Sequence, residues 1–284
     1  MRVKARVPSP RVSVVVMTRD RWPDLQRSLP RHEGPVVLVD NASSDHTVER
    51  VGECFPDVTV VALPHNAGAP ARNAGVRRAT TPYVAFADDD SWWESGALER
   101  AAELLDAHPR VALLAARVLV GDDGALDGVC EQMARSPLGT RAGEPGPRVL
   151  GFIACGAVVR RTAFLEAGGF DDVVFFPGEE ERLALDLAAR GWGLCYAPEL
   201  VARHVPSVVR EGNAARRAII ARNALLTAVM RRPVTSVLAT VCRLASDRCG
   251  RRGVVAALPR LRIALRERSV LPPAVEAQRR ALDD

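Results

Sequence analysis

The sequence has no apolar run that is long enough to cross a membrane. A transmembrane helix needs about 20 consecutive, mostly apolar residues, and no uninterrupted stretch of that kind occurs among the 284 residues. The basic N-terminal segment MRVKARVPSPR also lacks the apolar stretch of a secretory signal peptide. We therefore expect a cytoplasmic protein.

The sequence also lacks paired cysteines. None of its six cysteines forms the Cys-x-x-Cys pattern of a redox or zinc motif. Scattered cysteines are typical of small buried side chains or unused thiols in a reducing compartment, which argues against a disulfide or zinc framework. They are Cys54, Cys130, Cys155, Cys195, Cys242 and Cys249.

Aromatic residues are scarce, at 5% of the chain, and none follows Tyr196. The C-terminal part is instead rich in arginine: residues 211–284 hold 15 arginines and six acidic residues, a net charge of +9. Because the whole chain carries +5, residues 1–210 carry −4. A mildly acidic body is not typical of a nucleic-acid-binding protein. We expect no nucleic-acid partner, and different roles for the two parts.

The first 210 residues alternate between strand-like and helix-like segments. Strands rich in β-branched residues and separated by single helices indicate βαβ units and a largely parallel sheet. The predicted strands are residues 12–17, 35–39, 58–63, 83–87, 111–120, 152–159 and 193–197.

Two stretches depart from this alternation. Between Gly121 and Gly151, glycine, proline and polar residues favour a hairpin and a loop. Beyond residue 210 the pattern predicts helices, with breaks at Pro233, Gly250–Gly253 and Pro272–Pro273.

Acidic residues directly follow two of the predicted strands. Asp40 comes after VVLV, and Asp88, Asp89 and Asp90 come after VAFA. Ligands bind beyond the carboxyl ends of the strands in sheets of this kind, so these acids predict a pocket. Two carboxylates about 5 Å apart repel by roughly 3 kcal/mol at an effective dielectric near 20. Water, helix N-termini or a divalent cation must offset that repulsion; solvated helix caps are the alternative to a pocket.

Six motifs occur in the order and at the spacing of a known family. They are VSVVVMTRDR, VVLVDNASSDHT, NAGAPARNAG, FADDDSWW, GGFDD…GEEERLALDLAARGW and ARH. Over about residues 11–206 the chain resembles the inverting glycosyltransferases of family 2. The resemblance implies an α/β protein of the GT-A type, with a Rossmann-like, mostly parallel sheet flanked by helices. We expect the catalytic, nucleotide-sugar-binding domain at residues 1–210 and a helical, arginine-rich appendage at residues 211–284.

The resemblance implies a donor site at the strand ends. Thr18, Asp40 and Asn41 match positions that hold the base and ribose of the donor, and Arg72 matches a cation near its diphosphate. Asp89, the middle residue of the acidic triplet, is also expected to contribute to the donor site. An arginine on a solvated helix face is the alternative for Arg72.

The same resemblance implies a metal site. Asp88 and Asp90 match the ends of the family's DxD motif, which binds Mg²⁺ or Mn²⁺ against the donor diphosphate. His204 matches a C-terminal histidine that contacts the metal or the diphosphate in many relatives.

The GEEERLALD segment departs from the family pattern. Glu180 stands where relatives have the aspartate that serves as general base, and Glu179 precedes it. The longer side chain matters, because a displacement near 1 Å can cost on the order of 100-fold in rate. Arg182 and Asp186 invert a family charge pair at i,i+4 spacing, so we expect them to be structural. The alternative is that Glu179 and Glu180 have no catalytic role and are acidic residues at a helix N-terminus, where the helix dipole favours negative charge.

We therefore expect inverting, metal-assisted sugar transfer from a nucleotide-diphosphate sugar to an acceptor hydroxyl or amine. The alternatives are a nucleotidyltransferase and a catalytically degenerate sugar-nucleotide-binding protein. We expect the acceptor to be a glycan, a lipid-linked sugar or a small molecule. Its specificity is expected to lie in residues 122–148, in the two tryptophans and in residues 168–176, with contacts from Trp92, Trp93, Gly169 and Phe170.

The basic C-terminal helices have two possible roles. We expect them to pack onto the catalytic domain or to form a homodimer. The alternative is a peripheral contact with the inner face of the cell membrane, because basic amphipathic helices can lie on anionic lipid.

Overall fold

The computed structural model describes residues 10–206 and 213–283, so the N-terminal segment and the predicted domain boundary at residue 210 lie outside the described residues. Within those residues, nine strands form one sheet in the order β3-β2-β1-β4-β8-β6-β9-β5, with β7 paired to β6. The strands are β1 (Val12–Thr18), β2 (Val36–Asp40), β3 (Thr59–Ala62), β4 (Tyr83–Asp88), β5 (Ser91–Trp93), β6 (Val111–Val120), β7 (Ala125–Leu126), β8 (Ala157–Arg160) and β9 (Gly193–His204).

Helices cover the sheet and form the C-terminal part of the chain. Those within the first 206 residues are α1 (Trp22–Ser28), α2 (Thr47–Cys54), α3 (Ala71–Arg78), α4 (Ala97–Ala107), α5 (Gly128–Ala134), α6 (Arg161–Glu166) and α7 (Glu179–Ala189). Those after residue 212 are α8 (Asn213–Arg231), α9 (Val234–Ala245), α10 (Arg248–Ala257), α11 (Leu261–Arg266) and α12 (Pro273–Ala281).

The sheet is mostly parallel, as the sequence predicts. The strands β1, β2, β3, β4, β6 and β9 all run in one direction, and β5, β7 and β8 run against it. The central strands are buried on both faces, which explains their continuous apolar runs. Because the six parallel strands run in one direction, their carboxyl ends lie at the same edge of the sheet.

Four local predictions need correction. The strand predicted at residues 152–159 is shorter, because residues 154–156 form a 3₁₀ turn and β8 begins only at Ala157. Part of the expected loop is helix α5, whose first turn is capped by Asp127, with its side chain accepting from the backbone N–H of Val129 at 2.8 Å. Strand β9 continues past Pro198 to His204, with a register shift in its pairing to β6. Helix α10 runs through Gly250 and Gly253, because these glycines allow close packing: a Cβ on Gly253 would lie 2.6 Å from that of Ala221 in α8.

The C-terminal helices pack onto the body of the protein. Val173 and Val174 share an apolar cluster with α8 to α11, and α12 places Val275 against Leu150 and Leu185. Polar contacts accompany this packing: Asn223 donates to the carbonyl of Pro177 at 2.6 Å. No helix among the described residues has both the length and the apolar character needed to cross a bilayer.

The Arg182–Asp186 pair joins the two parts of the structure. Both side chains are buried and pair with each other, and Asp186 also accepts from Arg231 of α8 at 2.6 Å. Arg182 further contacts Asp171 at 3.4 Å. The inverted pair is therefore part of a buried ionic network that anchors α8, rather than a surface pair.

Replacing Asp186 tests this anchoring. We expect Asp186→Ala to lower the free energy of unfolding by about 3–5 kcal/mol, because buried Arg182 and partly buried Arg231 lose the carboxylate that they share. Glu103→Ala is the control: it removes a half-exposed pair with Arg100 on α4, which is worth under about 1 kcal/mol. Urea unfolding measures both, and equal losses would contradict the anchoring role.

Candidate active site

Strand pairing brings the predicted site residues to one edge of the sheet. Thr18 lies opposite Asp40, Met17 opposite Asp88, and Val120 opposite His204. A cleft of about 750 Å³ opens there. The predicted residues that line it are Thr18, Asn41, Arg72, Asp88, Asp89, Asp90, Glu179, Glu180 and His204.

Arg72 is a buried cation at the base of the cleft. It is 1% exposed, so it does not lie on a solvated helix face. One guanidinium nitrogen donates to Asp88, and another lies 3.7 Å from a carboxylate oxygen of Glu179. Burial alone would lower the pKa of Arg72, but Asp88 and Glu179 outweigh it and raise that pKa. Arg72 therefore links the end of β4 to the start of α7.

Glu179 and Glu180 open helix α7 and differ in their surroundings. Glu179 is fully buried, and neither of its carboxylate oxygens has a hydrogen-bond partner among the described residues. Burial and the charge of Glu180 raise the pKa of Glu179 to about 8. Glu180 is partly exposed in the cleft, and burial also raises its pKa. A carboxyl group with a raised pKa is suited to proton transfer near neutral pH.

Asp89 shows how the acidic triplet is accommodated. Thr18 donates to its carboxylate at 3.0 Å, and Ser28 donates to its backbone carbonyl at 2.7 Å. Burial, followed by the charges of Asp90 and Asp88, raises the pKa of Asp89 to about 8. Protonation of this central acid relieves part of the repulsion within the triplet.

Metal-ligand side chains converge beside the triplet. Ser91 in β5 pairs with His204 in β9, which places the imidazole 3.3 Å from a carboxylate oxygen of Asp90. The ligand atoms of Asp88, His204 and Cys155 all lie within 4.8 Å of one another. Divalent cations are bound in proteins by carboxylate oxygens and imidazole nitrogens, so Asp88, Asp90 and His204 fit the predicted metal.

Cys155 is a site residue that the sequence does not reveal. It lies in a 3₁₀ turn, Ala154–Gly156, directly before β8, and it lines the cleft. Burial raises the pKa of its thiol well above the usual value, and Asp88 and Asp90 raise it further. No local motif marks it, because only the antiparallel pairing of β4 with β8 brings it to the acids.

Asn41 and Asp40 shape the loop that precedes α3. Asn41 accepts from the backbone N–H of Ala67 at 2.7 Å and donates to the carbonyl of Gly68 at 3.2 Å. Gly68 has a φ of +66°, and a Cβ there would lie 2.8 Å from the ring of Phe175. Asp40 lies behind the cleft lining: one of its oxygens accepts from Ser43 at 3.0 Å, and the other has no hydrogen-bond partner among the described residues.

The four residues expected to contact the acceptor lie outside the cleft lining. Trp93 is buried and donates to the carbonyl of Phe86 at 3.1 Å, whereas Trp92 lies against Arg31. Phe170 is buried in an aromatic cluster, and Gly169 lies against Asn73.

Other residues line the open side of the cleft. They come from the start of α5 and its capping residue, from the loop before α7 and from α8, three segments whose approach depends on tertiary packing. These residues are Asp127, Val129, Phe176, Arg216 and Ile219.

Comparison with known proteins identifies the family. The family model described as glycosyl transferase family 2 matches residues 13–168, more than half of the chain. The chain belongs to this family.

Two proteins of Mycobacterium tuberculosis are related to this family 2 chain. A pre-mycofactocin glycosyltransferase is 32% identical over 203 residues, which are 68% of this chain and 42% of that protein. An N-acetylglucosaminyl-diphospho-decaprenol L-rhamnosyltransferase is 27% identical over 231 residues, which are 67% of this chain and 75% of that protein. The chain thus spans less than half the length of the first relative.

A solved structure shares the fold. The mannosyltransferase PcManGT from Pyrobaculum calidifontis, in complex with GDP-Man and Mn²⁺, aligns with a TM-score of 0.58 at 22% identity, covering 97% of this chain and 74% of that one. The prediction of a GT-A-type α/β fold with a helical C-terminal part is confirmed.

Proposed function

We propose that this protein transfers a sugar, with inversion, from a nucleotide-diphosphate sugar to an acceptor hydroxyl or amine. One observation carries the proposal: a single cleft combines the DxD carboxylates, His204 and a separate carboxylate, Glu180, on α7. Membership of family 2 supports the reaction class. The domain division at residue 210 is part of this proposal.

Asp88, Asp90 and His204 are the proposed ligands of Mg²⁺ or Mn²⁺. When bound, the metal acts as a Lewis acid that neutralises the charge of the departing nucleoside diphosphate. The Mn²⁺ in the PcManGT complex supports this assignment. Arg72 orients Asp88 and adds positive charge on the diphosphate side of the cleft.

The base and ribose of the donor are assigned to the ends of β1 and β2. The oxygen of Asp40 without a hydrogen-bond partner can accept from a base N–H or a ribose hydroxyl. Thr18 and Asn41 line the cleft beside it, and Asn41 also holds the loop before α3 in place. Asp89, held by Thr18, supports this wall of the donor site.

Glu180 is the proposed general base. It takes the proton from the acceptor hydroxyl or amine while the acceptor attacks the anomeric carbon on the face opposite the leaving diphosphate, which inverts that carbon. Its raised pKa makes it a stronger base than an ordinary glutamate. Glu179, buried against Arg72, positions the helix turn that carries Glu180.

The acceptor is proposed to enter over α5 and α8. Asp127 and Val129 line the cleft from one side, and Arg216 and Ile219 line it from the other. This wall is partly apolar, so it suits a glycan, a lipid-linked sugar or a small molecule with an apolar part. The name of the related rhamnosyltransferase, which includes a decaprenol diphosphate, supports a lipid-linked acceptor.

The altered EEER segment does not favour a degenerate, non-catalytic protein. Its departures at Arg182 and Asp186 are accounted for by the buried pair that these two residues form and by their contacts with Asp171 and Arg231. A nucleotidyltransferase would release pyrophosphate, so the released product separates that alternative from a transferase.

Donor binding is expected to require a divalent metal, because adjacent carboxylates repel a diphosphate. Calorimetry with UDP, GDP and dTDP, in Mn²⁺ and in EDTA, measures this. Asp90→Ala should weaken nucleotide binding at least about 10-fold, as losses at metal sites do. Asp122→Ala, an exposed acid in the turn after β6, is the control. Equal affinity in Mn²⁺ and EDTA would rule out the metal bridge.

Removing the base should impair catalysis and not donor binding. We expect Glu180→Gln to lower kcat by about 10²–10⁴-fold with unchanged nucleotide affinity, because a base acts in the transition state. Glu166→Gln, an exposed glutamate on α6 outside the cleft lining, is the control. Full activity of Glu180→Gln, with loss in Glu179→Gln, would move the base to Glu179.

Peripheral contact with an anionic membrane, at the inner face of a cytoplasmic membrane, is the proposed second role of the C-terminal helices. Apolar side chains stay exposed beside arginines on α9 and α10: Val234 is 64% exposed, Leu238 60% and Val255 66%. Arg251 and Arg252 lie beside Val255.

Flotation with anionic vesicles tests this contact. We expect binding at low salt and release at high salt, since each arginine contributes about 1 kcal/mol near such a surface and salt screens it. Arg251→Glu combined with Arg252→Glu should abolish flotation. Absence of flotation at low salt would leave these helices as packing or dimerisation elements.

A further inference from the structure

Cys155 differs from Cys130, another buried cysteine of the chain. Cys130 accepts from the backbone N–H of Val118 at 3.2 Å, within the core behind the cleft. Cys155, 2% exposed, instead lines the cleft, and its sulfur is grouped with Asp88 and His204. A side chain that only fills the core would not need two metal-ligand side chains around its sulfur.

The donor set of this group determines which metals it suits. A thiolate, an imidazole and a carboxylate are the ligands of tetrahedral Zn²⁺, at about 2.0–2.3 Å from the metal. Mg²⁺ prefers six oxygen ligands in octahedral geometry. Donor atoms within 4.8 Å of one another are close enough to share one ion after small side-chain movements.

We propose that Cys155, together with Asp88 and His204, makes this a thiolate-containing metal site that binds Zn²⁺ in competition with Mg²⁺ or Mn²⁺. Binding requires the thiolate, so the thiol proton leaves to solvent as the Zn–S bond forms. This inference rests on the proposed function, because it uses two ligands of the proposed metal site. It adds a preference for Zn²⁺, which the transfer of a sugar does not require.

Zinc bound in this way should inhibit donor binding. Three protein ligands leave one position in a tetrahedral complex, whereas a bridged diphosphate offers two oxygens. An octahedral Mg²⁺ or Mn²⁺ held by three protein ligands would leave three positions, enough for both oxygens. The structure therefore assigns Cys155 a part in choosing the metal, and no part in the transfer step.

Cobalt is the probe for the sulfur ligand, because a Co²⁺–thiolate bond gives a charge-transfer band in the near ultraviolet. The full chain, reduced with a phosphine and freed of metal, is titrated with Co²⁺. A Cys54→Ser/Cys242→Ser/Cys249→Ser background removes the thiols that are not buried. We expect the band in this background and its loss on adding Cys155→Ser. If the triple-serine protein, which retains Cys155, shows no band, the proposal is overturned.

Zinc affinity provides the second measurement. Cys155→Ser should reduce the ratio of Zn²⁺ to Mn²⁺ affinity about 10–100-fold by calorimetry, with thermal unfolding confirming that the variant is folded. An unchanged ratio overturns the proposal. Mn²⁺-dependent binding of UDP, GDP and dTDP is measured separately: absence of binding of all three, with the cobalt band present, refutes the proposed transferase site and leaves the zinc site standing.

Discussion

The site depends on one buried cation. Arg72 lies between Asp88, at the end of β4, and Glu179, at the start of α7. A buried guanidinium is costly without counter-charges, and a buried carboxylate is costly without a cation, so the three groups hold α3, β4 and α7 in one arrangement. The DxD carboxylates and Glu180 then face the same cleft because the elements that carry them cannot move independently.

Carboxylates nevertheless outnumber cations here, and the pKa shifts show how the fold accommodates the excess. Burial and neighbouring carboxylates raise the pKa of Asp89 and that of Glu179 to about 8, and Arg72 opposes the rise at Glu179. Both pKa values lie above those of the same side chains in the unfolded protein. The contribution of these two groups to the free energy of unfolding therefore falls as pH rises from about 4 towards 8. A divalent cation, which favours the ionised carboxylates, would offset that loss.

The sequence predicts this arrangement where the relevant rule is local. Asp40 and Asp88 end parallel strands, and the carboxyl ends of such strands meet at one edge. His204 is placed at the site only by the resemblance, because the sequence predicts that the last strand ends at residue 197, whereas it runs to His204. Cys155 was not predictable, because an antiparallel strand, β8, inserted between β4 and β6 brings it there.

Other differences from the predictions have similar causes. Arg216 and Ile219 reach the cleft only because α8 packs back on the body of the protein. Trp93 and Phe170, in contrast, belong to motifs near the site, but their side chains fill the core. A motif locates a segment of backbone; the packing of the whole domain decides which way its side chains point.

The three consecutive glutamates of α7 illustrate how packing divides roles among identical residues. Glu179 is buried against Arg72, and Glu181 pairs with Arg279 of α12 at 2.6 Å. These two contacts, on different sides of the helix, fix the rotation of its first turn. One turn later, Asp186 pairs with Arg231 and fixes the same helix against α8. Glu180 is thereby directed to the cleft, so the C-terminal helices position the proposed base even though it lies outside them.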